Sequence, residues 1–256
     1  MRLMIHSKST ERYIEEWDYD KVAIVLHHPT KEILKKTNTE SQVIAIGGGS
    51  VIDTAKILSR TPVIAIPTTF AGASRTSHAV YWHEKKKFNL DTYRPVTIMK
   101  PEYLKTLPDD FYQYSRTDCI CHAIESLISK KSTEESRLYA SVAIELIKKG
   151  SREDDLAASL LAADAIEITG TNLLHALSYP LTAIYKVPHG KALLFLLPKI
   201  LPYVEDILEF DVPVQKIIDL DADMKLIVDE SLKYPKIFET RKLINREALT
   251  KLLKVA

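Results

Sequence analysis

The chain has 256 residues, 46% of them hydrophobic and 27% charged, with 35 basic and 34 acidic side chains and a formal net charge of +1. This composition is typical of a globular protein with one large or two small domains. The balanced charge gives no reason to expect a nucleic acid or an anionic membrane as a partner. No apolar run reaches the roughly 18 residues of a membrane span, and the start of the chain lacks a signal-peptide core.

The first hundred residues alternate between strand and helix patterns. Short β-branched runs are separated by segments with helical spacing of apolar residues, which is typical of a parallel sheet covered on both faces. The predicted strands are Lys21–Leu26, Gln42–Ile46, Pro62–Thr69 and Arg94–Met99. The predicted helices between them are "PTKEILKKT" and "VIDTAKILSR".

The pattern changes near Leu104–Phe111, and beyond this point almost only helical segments follow. We therefore predict an α/β domain over residues 1–105 and an all-helical domain over residues 106–256. The cleft between two such domains is a common place for a small-molecule site. The predicted helices are "RTDCICHAIESLISK", "SRLYASVAIELIKK", "DDLAASLLAADAIEITG" and "TRKLINREALTKLLKV".

The two cysteines, Cys119 and Cys121, lie only two residues apart. On a helix their side chains point in different directions, which suits neither a disulfide nor a metal clip. We therefore expect reduced thiols packed in a helix, as in a cytoplasmic protein.

Three of the seven glycines, Gly47 to Gly49, stand together between a predicted strand and a predicted helix, and Ser50 follows. Glycines let backbone N–H groups approach a ligand, and the helix N-terminus favours a phosphate. The loop has neither the G-x-G-x-x-G spacing nor the Lys-Ser/Thr of a P-loop, so a tight structural turn is the alternative. The next strand releases the polar loop "IPTTFAGASRT". Two such loops at neighbouring strand ends favour dinucleotide binding.

One aspartate and three histidines in the helical half are candidates for a metal site. Asp118 and His122 are four residues apart, on one face of a predicted helix. His175 follows an apolar helical run, and His189 stands in the turn "VPHGK". The alternatives are an ordinary Asp–His hydrogen bond and hydrogen-bonded core histidines. Together the four side chains make N₃O coordination of a divalent transition metal possible.

The order of these motifs resembles that of the iron-containing (group III) alcohol dehydrogenases. The segments are "AIGGGSVIDTAK", "IPTTFAGAS", D-x-x-x-H-A-I-E and H-A-L-x-x-P-L-x-A-x-Y-x-x-P-H-G, and the similarity runs from about Val22 to the C-terminus. The superfamily also includes glycerol and glycerol-1-phosphate dehydrogenases and dehydroquinate synthase. The resemblance implies an α/β Rossmann-like nucleotide-binding domain followed by an all-α metal-binding domain, the architecture of dehydroquinate synthase.

The resemblance also implies roles for individual residues. It implies that Asp118, His122, His175 and His189 bind one Fe²⁺ or Zn²⁺. It implies that Gly47, Gly48, Gly49 and Ser50 hold the pyrophosphate of NAD or NADP, with Asp53, Thr68, Thr69, Ser74 and Lys87 near the nicotinamide and ribose. A further family histidine, associated with proton relay, is Tyr179 here; this residue either relays a proton through its hydroxyl or packs in the core.

The chain departs from the family pattern in three places. It is shorter, and only one helix fits between Lys21–Leu26 and Gln42–Ile46, so a strand–helix unit is expected to be missing. The acidic residue that holds the adenine ribose is not visible after the first predicted strand, where His27 and His28 stand, which leaves NAD and NADP both open. Arg75 replaces an acid, and either attracts a phosphate or forms a surface salt bridge.

The leading hypothesis is a metal-dependent NAD(P)-linked alcohol or polyol dehydrogenase that transfers hydride between a small alcohol or aldehyde and nicotinamide. One alternative is a lyase like dehydroquinate synthase, which would need a richer set of basic residues for a phosphorylated substrate. Another is a non-catalytic relative that binds the dinucleotide or metal. An exposed edge of a shortened sheet makes a homodimer plausible.

Overall fold

The computed structural model describes residues 1–36, 41–70, 72–84, 86–208, 211–213 and 217–253. The chain divides into two compact units, Met1–Tyr112 and Gln113–Ala256. The boundary predicted at residue 105 falls shortly before this division.

The first unit contains a five-stranded parallel sheet and a two-stranded hairpin. The sheet strands are β1 (Arg2–Ser7), β2 (Lys21–Val25), β3 (Gln42–Gly47), β4 (Ile64–Pro67) and β7 (Val96–Thr97), in the order β2-β1-β3-β4-β7. The hairpin pairs β5 (His78–His83) with β6 (Lys86–Asp91). Helix α1 (Gly49–Leu58) connects β3 to β4. Short 3₁₀ helices lie at Lys8–Glu16, Lys31–Lys36, Gly72–Ser74 and Pro101–Leu104.

The continuous apolar run of β3 is explained by burial on both faces of the sheet. Val43 and Ala45 point to the face where α1 packs, with Ile52 among its contacts. Ile44 and Ile46 point to the opposite face, which the 3₁₀ segment Lys8–Glu16 covers. A strand covered on both faces can be apolar at every position, which is why this one could be predicted from sequence.

The first predicted strand is not the first strand of the protein. Arg2–Ser7 forms β1, which pairs in parallel with both β2 and β3 and places Met4 and Ile5 in the core with no exposed surface. The prediction missed it because its apolar run is only three residues long, between an arginine and a histidine. The expected loss of a strand–helix unit assumed that Lys21–Leu26 comes first. With β1 in place, two strands lie beyond β3 on that side of the sheet.

Smaller corrections concern element type and length. Residues 29–37 contain a 3₁₀ helix rather than an α-helix, with Thr37 outside the described residues. The hairpin of β5 and β6 was not predicted, and the strands predicted at Pro62–Thr69 and Arg94–Met99 shorten to β4 and β7.

The second unit is helical. Its described residues form no strand, apart from one isolated bridge between Ser129 and Thr240. No helix of the described residues is both long and apolar enough to span a membrane. The helices are α2 (Asp109–Ile128, which starts in the first unit), α3 (Glu134–Lys149), α4 (Arg152–Thr169), α5 (Leu173–Ala183), α6 (His189–Val204), α7 (Met224–Ser231) and α8 (Arg246–Leu252).

The last predicted helix, from Thr240 to Val255, is shorter than expected. It begins at Arg246, because the Asn245 side chain accepts a hydrogen bond from Ala248 N–H at 2.8 Å and so caps the helix there. Val255 lies outside the described residues.

Lys56 is a buried cation that joins α1 to the segment before the hairpin. Its ammonium lies 3.3 Å from an Asp53 carboxylate oxygen, and it donates to the carbonyl oxygens of Ala73 at 2.9 Å, Thr76 at 3.2 Å and His78. The side chain has no exposed surface, so every partner would be left without a charged donor if it were removed.

We expect Lys56→Met to lower the free energy of unfolding of the first unit by about 3–5 kcal/mol, because Asp53 would stay buried without its cation. Urea unfolding followed by tryptophan fluorescence measures this, since both tryptophans, Trp17 and Trp82, lie in the first unit. The matched control is exposed Lys35→Met, expected within about 0.5 kcal/mol of the unsubstituted chain. Equal urea midpoints for the two variants would contradict the assignment.

Candidate metal centre and nucleotide-binding loop

Asp118, His122, His175 and His189 converge in the second unit. Asp118 and His122 are one turn apart on α2, His175 lies in the first turn of α5, and His189 is the first residue of α6. Asp118 Oδ1 lies 3.2 Å from His175 Nε2, 3.4 Å from His122 Nε2 and 3.7 Å from His189 Nε2. The four side chains predicted from the sequence are therefore brought together around one carboxylate oxygen.

The donor set fits a divalent transition metal. Ligand bonds of about 2.1 Å in a tetrahedral arrangement put neighbouring donor atoms about 3.4 Å apart, close to the three Asp118–imidazole distances. Donor atoms of Asp118, His175 and His189 all lie within 4.8 Å of one another, whereas His122 falls outside this group and joins it through Asp118, at 3.4 Å. Three imidazole nitrogens and one carboxylate oxygen suit Fe²⁺ or Zn²⁺ better than Mg²⁺ or Ca²⁺, which prefer oxygen ligands.

Glu125 is a member of this cluster that the sequence analysis did not assign. Its side chain is fully buried; Oε2 lies 2.5 Å from His175 Nδ1, and Oε1 accepts from the His175 backbone N–H at 2.9 Å. A carboxylate on Nδ1 keeps the proton there and leaves the Nε2 lone pair for a metal. The sequence signal was available, because Asp118, His122 and Glu125 follow the i, i+4, i+7 spacing of one helix face.

Two further polar side chains fix the positions of the ligands. Asn172 caps α5 by accepting from Leu173 N–H at 2.7 Å, and its amide donates to Glu125 O at 2.8 Å, which ties α5 to α2. The Ser178 hydroxyl donates to His175 O at 2.8 Å and lies 3.3 Å from His189 Nδ1. An Nδ1–H of His189 that donates to Ser178 leaves Nε2 of His189 as the free donor atom.

The electrostatics of the cluster favour added positive charge. Burial alone would raise the pKa of Asp118, but His122 and the other two imidazoles outweigh it and hold this pKa well below its usual range. Burial alone would lower the pKa of His175, but the Glu125 and Asp118 carboxylates outweigh it and raise this pKa to about 10. A raised pKa means that His175 keeps a second proton near neutral pH; a divalent cation would take the place of that proton, and the two carboxylates would balance the cation's charge.

Tyr179 lies one turn after His175 and is largely buried, at 8% exposure. Its ring centroid is 6.4 Å from that of His175 and 5.2 Å from that of Tyr234, in edge-to-face arrangements. Burial, and then the Tyr179 hydroxyl, raise the pKa of Tyr234. The packing role considered from the sequence is thus present, and the proton-relay role stays a prediction.

In the glycine loop of the first unit, the backbone lies so close to neighbouring side chains that residues larger than glycine do not fit without movement. Gly48 is the N-cap of α1, and a side chain there would come within 3.2 Å of the Thr69 methyl group. A Cβ on Gly47 would lie 2.6 Å from a Val51 methyl carbon, so the turn cannot accept a larger residue without movement. Thr68 N–H donates to Gly47 O at 3.1 Å, which joins the two predicted loops.

The remaining predicted cofactor residues lie in the same unit with different surroundings. Asp53 is buried on α1 against Lys56, and burial raises its pKa although Lys56 opposes this. Ser74 is fully buried, and its hydroxyl has no hydrogen-bond partner among the described residues. Lys87 stands half-buried on β6, and Ser50 Oγ is hydrogen-bonded to His28 Nδ1 at 2.6 Å. Their roles toward a dinucleotide stay predictions.

A cleft of about 320 Å³ lies beside the glycine loop, and Ser7, Leu26, His27, His28, Gly48 and Ser50 are among its lining residues. His27 and His28 were predicted to stand where a ribose-binding acid is expected. That role stays a prediction, and the sheet order adds that β1, not β2, is the neighbour of β3 on that side. The residue at the carboxyl end of that neighbouring strand is Ser7.

We expect Glu125→Gln to weaken metal binding by about 10- to 100-fold. The uncharged amide would be a weaker acceptor for the Nδ1–H of His175 than the carboxylate, so it would hold the metal-binding tautomer less firmly. Competition between the protein and a chelating dye for Zn²⁺ measures this affinity. The control is Glu145→Gln, an exposed residue of α3 paired with Lys148, which should leave the affinity unchanged. Equal Zn²⁺ affinity of the Glu125→Gln variant and the control would contradict the role of Glu125.

Comparison with known proteins shows which protein family this chain resembles. The family model described as Fe-containing alcohol dehydrogenase family, C-terminal, matches residues 113–254. The chain is 31% identical over 191 residues to 4-hydroxybutyrate dehydrogenase of Clostridium kluyveri, covering 59% of this chain and 52% of that protein. It is 29% identical over 188 residues to maleylacetate reductase of Pseudomonas aeruginosa, covering 66% and 53%. The chain thus spans about half the length of the curated relatives it matches.

Solved structures confirm the predicted fold class. The iron-containing alcohol dehydrogenase of Corynebacterium glutamicum matches with a TM-score of 0.84 at 20% identity, covering 99% of this chain and 87% of that one. The iron-containing alcohol dehydrogenase of Thermotoga maritima matches with a TM-score of 0.78 at 22% identity, covering 99% and 90%. With a family model that matches more than half of its residues, this chain belongs to the Fe-containing alcohol dehydrogenase family.

Proposed function

We propose that this chain is a metal-dependent, NAD(P)-linked dehydrogenase of small alcohols, aldehydes or polyols. The observation that supports it most directly is the position of Asp118 Oδ1 within 3.7 Å of Nε2 of His122, His175 and His189. Relatives of the chain carry the names 4-hydroxybutyrate dehydrogenase, NAD-dependent methanol dehydrogenase and 1-propanol dehydrogenase.

Asp118, His122, His175 and His189 would hold Fe²⁺ or Zn²⁺. When bound, the ion would supply Lewis-acid polarisation of an alcohol or carbonyl oxygen, and the nicotinamide would accept or give a hydride. Glu125 and Ser178 would keep His175 and His189 oriented with Nε2 toward the ion.

The loop from Gly47 to Ser50 would bind the dinucleotide pyrophosphate. Its backbone N–H groups and the N-terminus of α1 lie at the carboxyl edge of a parallel sheet, where such ligands bind. Thr69 packs against Gly48 and would shape the same site from the neighbouring loop.

Tyr179 would hold the proton that is lost from or returned to the substrate oxygen. The phenol is largely buried and lies edge-on to His175. A buried phenol has few water molecules around it, so its hydroxyl is suited to pass a proton along a defined path.

The same proposal includes a cytoplasmic location and assembly into a homodimer. Both cysteines are buried and unbridged, which supports a cytoplasmic protein. At an edge of the sheet, β2 exposes Val22 and Ile24 at 49% and 50%, and this supports a homodimer that covers the edge.

We expect His175→Ala to remove both the bound metal and turnover, because it deletes one ligand and leaves Glu125 buried without its partner. Elemental analysis measures metal content, and absorbance of the reduced nicotinamide measures turnover. The substrate panel contains 4-hydroxybutyrate, methanol, 1-propanol and glycerol, each tested with NAD⁺ and NADP⁺. The control is His83→Ala, a surface histidine of β5 in the first unit.

The outcomes separate the proposal from its alternatives. A His175→Ala protein that is metal-free and still active would refute the metal-dependent scheme. Full metal loading and tight nucleotide binding with no oxidation of any alcohol would favour a non-catalytic relative. Turnover of a substrate without net reduction of the nucleotide would favour a lyase like dehydroquinate synthase.

We expect Tyr179→Phe to lower kcat by about 100-fold or more, because the proton path loses its hydroxyl while the ring remains. Metal content and the thermal unfolding midpoint should stay close to those of the unsubstituted protein. Unchanged kcat would show that Tyr179 serves only to pack against His175 and Tyr234.

A further inference from the structure

Gly190 is the second residue of α6 and directly follows the candidate ligand His189. A Cβ built on Gly190 would lie 2.5 Å from the carbonyl oxygen of Tyr114 on α2 and 2.6 Å from the Tyr114 Cβ. Both distances are far shorter than an ordinary contact, and neither atom is the movable end of a side chain. The first turn of α6 therefore packs against α2 so closely that a residue larger than glycine does not fit without movement.

Space, and not backbone conformation, is the reason for a glycine at this position. Among the described residues, the glycines with positive φ are Gly150 and Gly170, whereas Gly190 has an ordinary helical backbone. Alanine is a better helix residue than glycine wherever a methyl group can be placed. The observation that accounts for glycine in this helix is thus its packing against Tyr114.

This packing contact lies beside the metal ligands of the second unit. Tyr114 is four residues before Asp118 on α2, so the two residues share one face of that helix. His189 Nε2 lies 3.7 Å from Asp118 Oδ1, the longest of the three imidazole distances to this oxygen. The distance between α6 and α2 at Gly190 therefore governs how closely His189 approaches Asp118.

The size of the clash decides whether a metal site could tolerate a side chain at Gly190. A Cβ placed 2.5 Å from the Tyr114 oxygen has to move by about 0.9 Å to reach the 3.4 Å of an ordinary contact. Metal–ligand distances are held within about 0.2 Å of their usual values. A shift of α6 that relieves the clash would therefore take His189 out of bonding distance of an ion held by the other ligands.

We propose that Gly190 is a positioning residue of the metal centre, because it lets the first turn of α6 approach α2 and so places His189 beside Asp118. The inference rests on the proposed function, since it concerns the metal of that scheme. It adds a residue whose side chain contains no ligand atom and which acts only through His189.

We expect Gly190→Ala to weaken Zn²⁺ binding by the full chain about 10- to 100-fold, the range for groups that orient metal ligands. Competition with a chelating dye measures this affinity without any need for turnover. The variant should still fold, because the higher helix propensity of alanine offsets part of an overpacking cost of about 1–3 kcal/mol.

The matched control is Gly150→Ala. Gly150 caps α3 at a φ of 80°, and a Cβ there would meet nothing within 4 Å. Alanine at this position strains the backbone without displacing a ligand, so it should lower the thermal unfolding midpoint and leave the Zn²⁺ affinity unchanged.

A double variant tests whether Gly190 acts through His189. Once His189→Ala has removed that ligand, Gly190→Ala should weaken Zn²⁺ binding no further, because the two changes remove the same contact. Losses that add up in the double variant would contradict a role through His189.

The remaining outcomes separate this inference from the proposed function. Zn²⁺ affinity of the Gly190→Ala variant equal to that of the unsubstituted chain would overturn the inference and leave the proposed metal centre intact. A Gly190→Ala chain that no longer folds would also overturn it, because Gly190 would then serve the whole helical unit. Failure of the unsubstituted chain to bind Zn²⁺ would overturn the proposed metal centre, and the inference with it.

Discussion

The hydrogen bond between Glu125 and His175 is the contact on which the order of the second unit's site depends. Both side chains are buried, so each must find a partner of complementary character within the protein. Glu125 binds the His175 ring and its backbone N–H, and Asn172 fixes the Glu125 carbonyl. The start of α5 is therefore positioned on α2 by charged and polar contacts rather than by apolar packing alone.

This arrangement leaves negative charge at the centre of the cluster. Asp118 faces three imidazole nitrogens, and its low pKa keeps it ionised near the Glu125 carboxylate. Buried carboxylates without compensation would destabilise the helices that carry them. A divalent cation held by Asp118 and the imidazoles would balance this charge, and folding and metal binding would then share an electrostatic basis.

The first unit depends on a different constraint, the close packing of the glycine backbone against neighbouring side chains at the carboxyl ends of parallel strands. Gly47 and Gly48 leave no room for side chains against Val51 and Thr69. Lys56 stabilises the loop that follows β4 by donating hydrogen bonds to the carbonyl oxygens of Ala73 and Thr76. The chain spans only about half of its curated relatives, yet its sheet keeps two strands on either side of the glycine strand.

Local patterns in the sequence were sufficient to predict the glycine loop, the helical second unit and the change from an α/β to a helical pattern near residue 105. They were also sufficient to single out the candidate ligands Asp118, His122, His175 and His189. These features follow from periods of two and 3.6 residues, from turn chemistry and from motif spacing, all of which act over short distances along the chain. Only the tertiary structure decided that β1 lies next to β3, that Glu125 contacts His175, and that Ser7 stands at the carboxyl end of the strand beside the glycine strand. Strand order and contacts between helices depend on hydrogen bonds and burial between segments that are distant in sequence. A short strand such as Arg2–Ser7 has too few apolar residues for its sequence to predict that it lies between two other strands.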